Sequence, residues 1–448
     1  MKLLKSLLCL AMAGTMLAVT ACMDGGDSTS KTPDSGSPSQ STSQSDKGEI
    51  DMKKFPLYNK DYENLVYDKD EYEAAMTTPY WKGNVIYNEL SLPLLYDSGE
   101  AYAKLYYTPT KIFSVQDQKL AKTYVEGKDY VVDKENKRLV IPQGSSIPTL
   151  YEKADAGINP PEGFTLTNGL PNSTDLYTVW NLGPGPFVYT ESAYFYGKYL
   201  SISYAYDIKD SDTSIFAKYD ATSLSSVRSK LENGEDISLV AVGDSITAGC
   251  SSTGDNLHVA PNTPCYVNQI KGELERLYDV TVNLTNIGLG GSESKYPLSG
   301  EGSAALGRAK AAVPDLCVIA YGMNDSTAQP DVVTSSAFDD NIRRIINEIK
   351  QASPACEFIL VNSFPCNPLY EREAGVFDGY LKKLNAIAKE DEDGHTVVVD
   401  MQKVGKYYMQ TKKYCEISSS NVNHPNDFLH RVYAMNIVST ICDYKNLK

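Results

Sequence analysis

Four short blocks of the chain hold residue types that together make a hydrolytic site. They are Gly243-Asp244-Ser245-Ile246-Thr247-Ala248-Gly249, Asn286-Ile287-Gly288-Leu289-Gly290-Gly291, Tyr321-Gly322-Met323-Asn324-Asp325 and Asn421-Val422-Asn423-His424-Pro425. A serine can act as nucleophile once a histidine takes its proton. A glycine-rich turn and an asparagine amide can donate hydrogen bonds to the oxyanion that forms. These are the parts of a serine esterase, provided the fold gathers them on one rim. Rival chemistries lack their residues. Only four histidines occur, at 258, 395, 424 and 430, without an HExxH pair, and there is no Cys-x-x-Cys or Walker loop. The Gly-x-Gly-Gly of the second block lacks the third glycine of a dinucleotide fingerprint. No metal and no cofactor is expected.

The elements that must position these blocks alternate between strand and helix. Ile237–Val242 is a short apolar strand, and Val267, Ile270, Leu274 and Leu277 then recur at helical spacing. Strands are predicted again at Val280–Leu284, Leu316–Tyr321, Phe358–Val361 and Thr396–Val399, with a helix over Phe338–Gln351. Such alternation implies a mostly parallel sheet covered on both faces. Functional residues of these sheets gather where the strands' carboxyl ends meet their loops, and the first three blocks follow predicted strands.

In this order and with these separations, the four blocks resemble the SGNH (GDSL-type) hydrolase family over roughly residues 236–448. The resemblance implies a three-layer, flavodoxin-like α/β domain. It implies that Ser245 is the nucleophile, that His424 is the base, and that the oxyanion hole comprises the Ser245 and Gly291 N–H groups and the Asn324 amide. Only His424 has the Pro-bounded late-loop position the family pattern requires. One place departs from the pattern. The family usually has aspartate three residues before the histidine, and here that residue is Asn421. The expectation is a Ser–His dyad assisted by Asn421 or by a backbone carbonyl. Asp427, the nearest carboxylate, precedes a helical apolar pattern and is read as the cap of the last helix. Asp244 is read as securing the turn beside Ser245.

The chain divides near residue 230. Residues 50–230 hold 21 of the 32 tyrosines and both tryptophans, Trp81 and Trp180, but no cysteine. Strand-like runs at 101–107 and 199–206, with Gly, Pro and Asn between such runs, predict a β-rich accessory domain over 50–230, a β-sandwich. Its aromatic residues either fill the core or stack on sugar rings; composition leaves both open. Seven of the nine cysteines lie in the second module, where Cys250 and Cys265 could pair across the loop after Ser245.

Residues 1–21 read as a secretory signal, with Lys2 and Lys5 ahead of an apolar run. The run ends Val19-Thr20-Ala21-Cys22, which resembles a bacterial lipobox and implies lipidation of Cys22 and anchoring to the cell membrane. Residues 22–49 follow as a tether. From Asp24 to Gly48 there is no Val, Ile, Leu, Phe, Tyr or Trp, so the segment cannot offset its chain entropy. Its reach is roughly 25–30 Å. With 42 basic against 57 acidic residues in 448, the net charge of −15 argues against a nucleic-acid partner. The reading is an extracytoplasmic, membrane-anchored ester hydrolase whose substrate is acetylated polysaccharide or a small ester. A lipase or broad acyl esterase is the alternative within the class. A catalytically weak glycan-binding surface lipoprotein is the alternative outside it. Oligomeric state is not legible.

Overall fold

The computed structural model describes residues 76–168, 177–181, 185–191, 193–328 and 330–444. The signal sequence, Cys22, the tether and the start of the accessory region lie outside the described residues.

In the accessory region the strands are β1 (Val85–Ser91), β2 (Leu94–Leu95), β3 (Ala101–Lys104), β4 (Pro109–Asp117), β5 (Val131–Asp133), β6 (Arg138–Val140), β7 (Leu150–Tyr151), β8 (Thr167–Asn168), β9 (Tyr177–Asn181), β10 (Pro186–Thr190) and β11 (Leu200–Tyr206). Where the sequence predicts a sandwich, these strands distribute over three sheets, ordered β1-β11-β4, β5-β6-β3-β2-β7 and β10-β9-β8. Several are only two or three residues long, because glycine, proline and asparagine turns interrupt them. The aromatic residues go inward. Trp81 stacks on Phe216 with ring centroids 3.8 Å apart, and Tyr80, Tyr107, Tyr204 and Tyr206 are buried. Trp180 is buried as well, so neither tryptophan offers an open stacking face.

The second module has five strands, β12 (Ile237–Gly243), β13 (Val282–Asn286), β14 (Leu316–Ala320), β15 (Glu357–Asn362) and β16 (Thr396–Asp400). They form one sheet in the order β13-β12-β14-β15-β16, with every pairing parallel. This is the flavodoxin-like order, and β12 stands next to the point where the order reverses. Its apolar run is buried because helices cover both faces of the sheet. The helix Tyr266–Tyr278 buries Val267, Ile270, Leu274 and Leu277, the four residues at helical spacing. The seven cysteines of this module, Cys250 and Cys265 among them, are free thiols.

The modules share a seam whose centre is polar and enclosed. Every residue of the last helix, Asp427–Ile441, is buried. Its polar members therefore need partners. Arg431 donates to the Tyr87 and Asn88 carbonyls of β1, at 3.0 and 2.6 Å. Asn436 accepts from the Ala217 N–H at 2.9 Å. Close by, the Lys412 ammonium meets the Glu89 carboxylate at 2.6 Å, with neither side chain exposed. Lys412 also donates to the Leu90 carbonyl and lies 4.3 Å from the centre of the Tyr106 ring. Glu89 accepts in addition from the Tyr106 N–H and the Tyr204 hydroxyl. Removing one partner of such a pair strands a buried charge. Lys412→Met is expected to cost about 3–5 kcal/mol in urea unfolding, whereas Lys153→Met, which breaks an exposed pair with Asp97, should leave the urea midpoint nearly unchanged.

Candidate active site

The carboxyl end of β12 is shaped by close approach. A side chain at Gly243 would place its Cβ 2.1 Å from Thr247 Oγ1 and 2.5 Å from the Ala320 carbonyl. Glycine alone fits there. Asp244 then caps the short helix Ser245–Ala248, its Oδ1 accepting from the Ile246 N–H at 3.0 Å. Ser245 is thereby set as the first residue of that helix, just beyond the strand. Burial pushes the Asp244 carboxyl up to about 7, against the lowering effect of the Ile246 N–H.

The second and third blocks close around this turn. The Leu289 N–H and the Ser292 hydroxyl donate to the Gly243 carbonyl, at 3.1 and 3.3 Å. The Asn324 amide donates to the Ser292 carbonyl at 3.0 Å, which leaves its second N–H for a ligand. Asp325 holds the same segment by accepting from the N–H and hydroxyl of Ser294. Gly291 has φ +73° and open space where a Cβ would stand. Its glycine thus answers a left-handed backbone, and its missing side chain leaves that space open to a ligand.

His424 arrives on a loop whose backbone is held on both sides. Ser420 Oγ accepts from the N–H groups of Val422, Asn423 and His424, at 3.3, 3.3 and 3.1 Å. Ser418 Oγ donates to the His424 carbonyl at 2.7 Å. The helix that follows is capped by Asn426, whose side chain accepts from the Leu429 N–H. Asp427, expected as the cap, instead accepts from the N–H and hydroxyl of Thr253 at 2.9 and 2.8 Å. It fastens the loop after Ser245 to the last helix. Asp427 lies one residue inside the helix, where its carboxylate reaches across to that loop rather than back over its own first turn.

His424 Nε2 lies 2.8 Å from Ser245 Oγ, and its Nδ1 lies 2.9 Å from Glu191 Oε1. Both residues of the first pair are almost wholly buried, Ser245 at 1% and His424 at 3% exposure. Glu191 directly follows β10 and belongs to the accessory region. Its carboxylate accepts further bonds from the Tyr189 hydroxyl and from Ser251 Oγ, each at 3.2 Å. Burial alone would lower the basicity of His424. The charge and hydrogen bond of Glu191, with a contribution from Asp244, outweigh it and raise the imidazole pKa above its ordinary value.

Asn421 does not touch the imidazole. Its amide nitrogen donates to the Val188 carbonyl at 3.0 Å and to the Asp155 carbonyl at 3.3 Å. The assistance expected of Asn421 at Nδ1 is given instead by Glu191, because the Asn421 side chain is spent on the accessory strand. Glu191 stands 233 residues before His424. No local motif marks it; the sole sign in the sequence is the missing carboxylate at 421.

The other histidines are otherwise engaged. His258 Nδ1 lies 2.9 Å from the Gly254 carbonyl in an exposed loop, and His395 lies 3.4 Å from Glu357. His430 is buried, with Nε2 3.2 Å from the Cys250 carbonyl, and burial pushes it down to about 4. Among the described residues no group of three or more His, Cys, Asp or Glu side chains could hold a metal ion.

Residues 241–432 match the model of the GDSL-like Lipase/Acylhydrolase family. The match falls within the C-terminal module and makes that module similar to this family of carboxylic ester hydrolases. A comparison with curated protein sequences finds no match. Among solved structures, the chain is similar to a two-domain esterase (CEX) active on acetylated mannans, with 18% identity, 51% of this chain and 55% of that chain covered, and a TM-score of 0.38. It is also similar to the acetyl xylan esterase AlAXEase, with 18% identity, 45% and 98% covered, and a TM-score of 0.35. A third similarity is to a GDSL-like lipase from Parabacteroides merdae ATCC 43184, with 17% identity, 46% and 95% covered, and a TM-score of 0.35.

Four histidines make the imidazoles resolvable by NMR titration. The His424 midpoint is expected above the ordinary value of about 6.5, and Glu191→Gln should move it down. His430 should stay neutral until the pH approaches about 4.

Proposed function

We propose that this chain is an exported, membrane-anchored serine esterase that removes O-acetyl groups from polysaccharide. The observation that carries the reading is the unbroken line Ser245 Oγ, His424 Nε2, His424 Nδ1, Glu191 Oε1 at the carboxyl end of β12. In this mechanism Ser245 Oγ attacks the ester carbonyl while its proton passes to His424 Nε2. The Glu191 carboxylate offsets the imidazolium through Nδ1. The tetrahedral oxyanion is received by the N–H groups of Ser245 and Gly291 and by the free Asn324 amide hydrogen. Collapse expels the alcohol, which takes the proton back from His424. A water then repeats the sequence on the acyl-enzyme, releasing the acid and restoring Ser245.

Three features support a polymeric, extracellular substrate. The leader ending at Cys22 and the apolar-free sequence after it agree with export and with anchoring at a membrane surface. Next to the site, Tyr189 stacks on Trp180 with centroids 4.7 Å apart, and Tyr370 lies against the same indole. Trp180 and Tyr370 are buried, and Tyr189 is the half-buried ring of the group, beside Glu191, that can meet a sugar-bearing alcohol. Leu289, at 38% exposure on the second block, is the one feature that favours a longer acyl chain.

The test is hydrolysis of p-nitrophenyl acetate, butyrate and palmitate by the chain from residue 50, beside Ser245→Ala. Selectivity for acetate, lost in the variant, is the expected result, followed by acetate release from acetylated mannan or xylan. Preference for palmitate would make the protein a lipase. Wild-type turnover no faster than the variant's would leave the glycan-binding reading. Asn324→Ala should lower kcat about 10²–10³-fold with little change in KM.

A further inference from the structure

We propose that Asn421 is a positioning residue that acts through Glu191, and that the docked accessory module is needed to complete the catalytic site. The proposal rests on the reading of Ser245 and His424 as nucleophile and base. In the sheet ordered β10-β9-β8, β10 is an edge strand. An edge presents N–H and C=O groups that need partners. The His424 loop supplies them. Asn421 Nδ2 donates to the Val188 carbonyl at 3.0 Å, and the Thr190 N–H donates to the Ser420 carbonyl at 3.2 Å. Residues 188 and 190 share one edge of the strand, since successive residues alternate direction. The other edge pairs with β9 in an antiparallel register that runs from Pro186 opposite Asn181 to Thr190 opposite Tyr177. Both bonds thus fix the last turn of chain before Glu191, and they fix it to the loop that carries His424.

Asn421 is built for this task and no other. It is buried, and its φ of +58° is a left-handed conformation that asparagine tolerates better than most residues. The two amide hydrogens meet the carbonyls of Val188 and Asp155. Its Oδ1 and its own carbonyl both accept from Asn367 Nδ2, at 3.3 and 2.7 Å. An aspartate here would offer only acceptors to two carbonyl oxygens. It would have to take up a proton or push the strand away, carrying Glu191 from the imidazole. The position needs an amide because the carboxylate comes from the other module.

The experiment measures kcat, KM and the pH dependence of kcat/KM on p-nitrophenyl acetate with the full chain. It compares wild type, Ser245→Ala, Glu191→Gln, Asn421→Asp, Asn421→Ser and the Glu191→Gln/Asn421→Asp double variant. The charged groups facing His424 are Glu191 and Asp244, with the neutral His430 beyond. Glu191→Gln should lower kcat about 10²–10⁴-fold and move the acid limb to lower pH. Asn421→Asp should lower kcat more than it raises KM and shift the limb the same way. In the double variant it should add little to the loss from Glu191→Gln. Folded Asn421 variants with the wild-type limb and kcat would overturn the proposal, as would losses that multiply in the double variant. If Asn421→Asp and Asn421→Ser both fail to fold, Asn421 belongs to the fold alone and the proposal falls. Activity that survives Ser245→Ala would instead overturn the esterase mechanism itself.

Discussion

An imidazole that is to take a proton from a serine must be fixed at both nitrogens. Here the two fixing groups come from stretches of chain that fold as different modules. Nε2 faces Ser245 at the end of the central strand β12, and Nδ1 faces Glu191 at the end of the edge strand β10. A hydrogen bond weakens steeply with misalignment. The relative placement of the modules therefore has to hold within a fraction of an ångström, and much of the fold serves that requirement. The last helix is enclosed on all sides, Arg431 reaches β1, and Lys412 meets Glu89 with neither side chain exposed.

The seam is polar for a reason that apolar packing alone would not satisfy. Aromatic contacts such as Tyr106 on Tyr408, with centroids 4.3 Å apart, supply area but tolerate sliding. Buried ion pairs and backbone bonds contribute less net stability than their number suggests, yet each is satisfied in one register alone. Carbonyls of Tyr87, Asn88, Leu90, Asp155 and Val188 are all met by side chains of the second module. A shift by one residue would leave several of them bare, at about 1–3 kcal/mol each.

Most of the catalytic module was legible because its signals are local. Apolar runs gave the strands of the sheet to within two residues; β13 begins at Val282 where the sequence reading began at Val280. Periodicity gave the helix around Ile270, and the blocks after β12, β13 and β14 gave the rim. The accessory region was legible only as β-rich, since two-residue strands such as β2 and β7 are created by their partners and not by a pattern of their own. Glu191 was not legible. A glutamate after a Tyr-containing strand has no local mark, and its role arises from a contact between residues far apart in sequence. Asn421 was noticed for the right position and given the wrong partner: spacing to the histidine pointed inward, whereas the left-handed backbone turns its amide toward β10.

The Glu191–His424 bond also bears on how such a chain can be inherited. A carboxylate a few residues from its histidine travels with the domain through any gene rearrangement. Here the carboxylate lies on the far side of the module boundary. Joining residues 236–448 to a different partner would keep the serine and histidine but lose the group at Nδ1. The accessory region is thus not an exchangeable appendage. On the proposed mechanism the two modules form a single unit of recombination, since a change on one side of the seam must be met by one on the other.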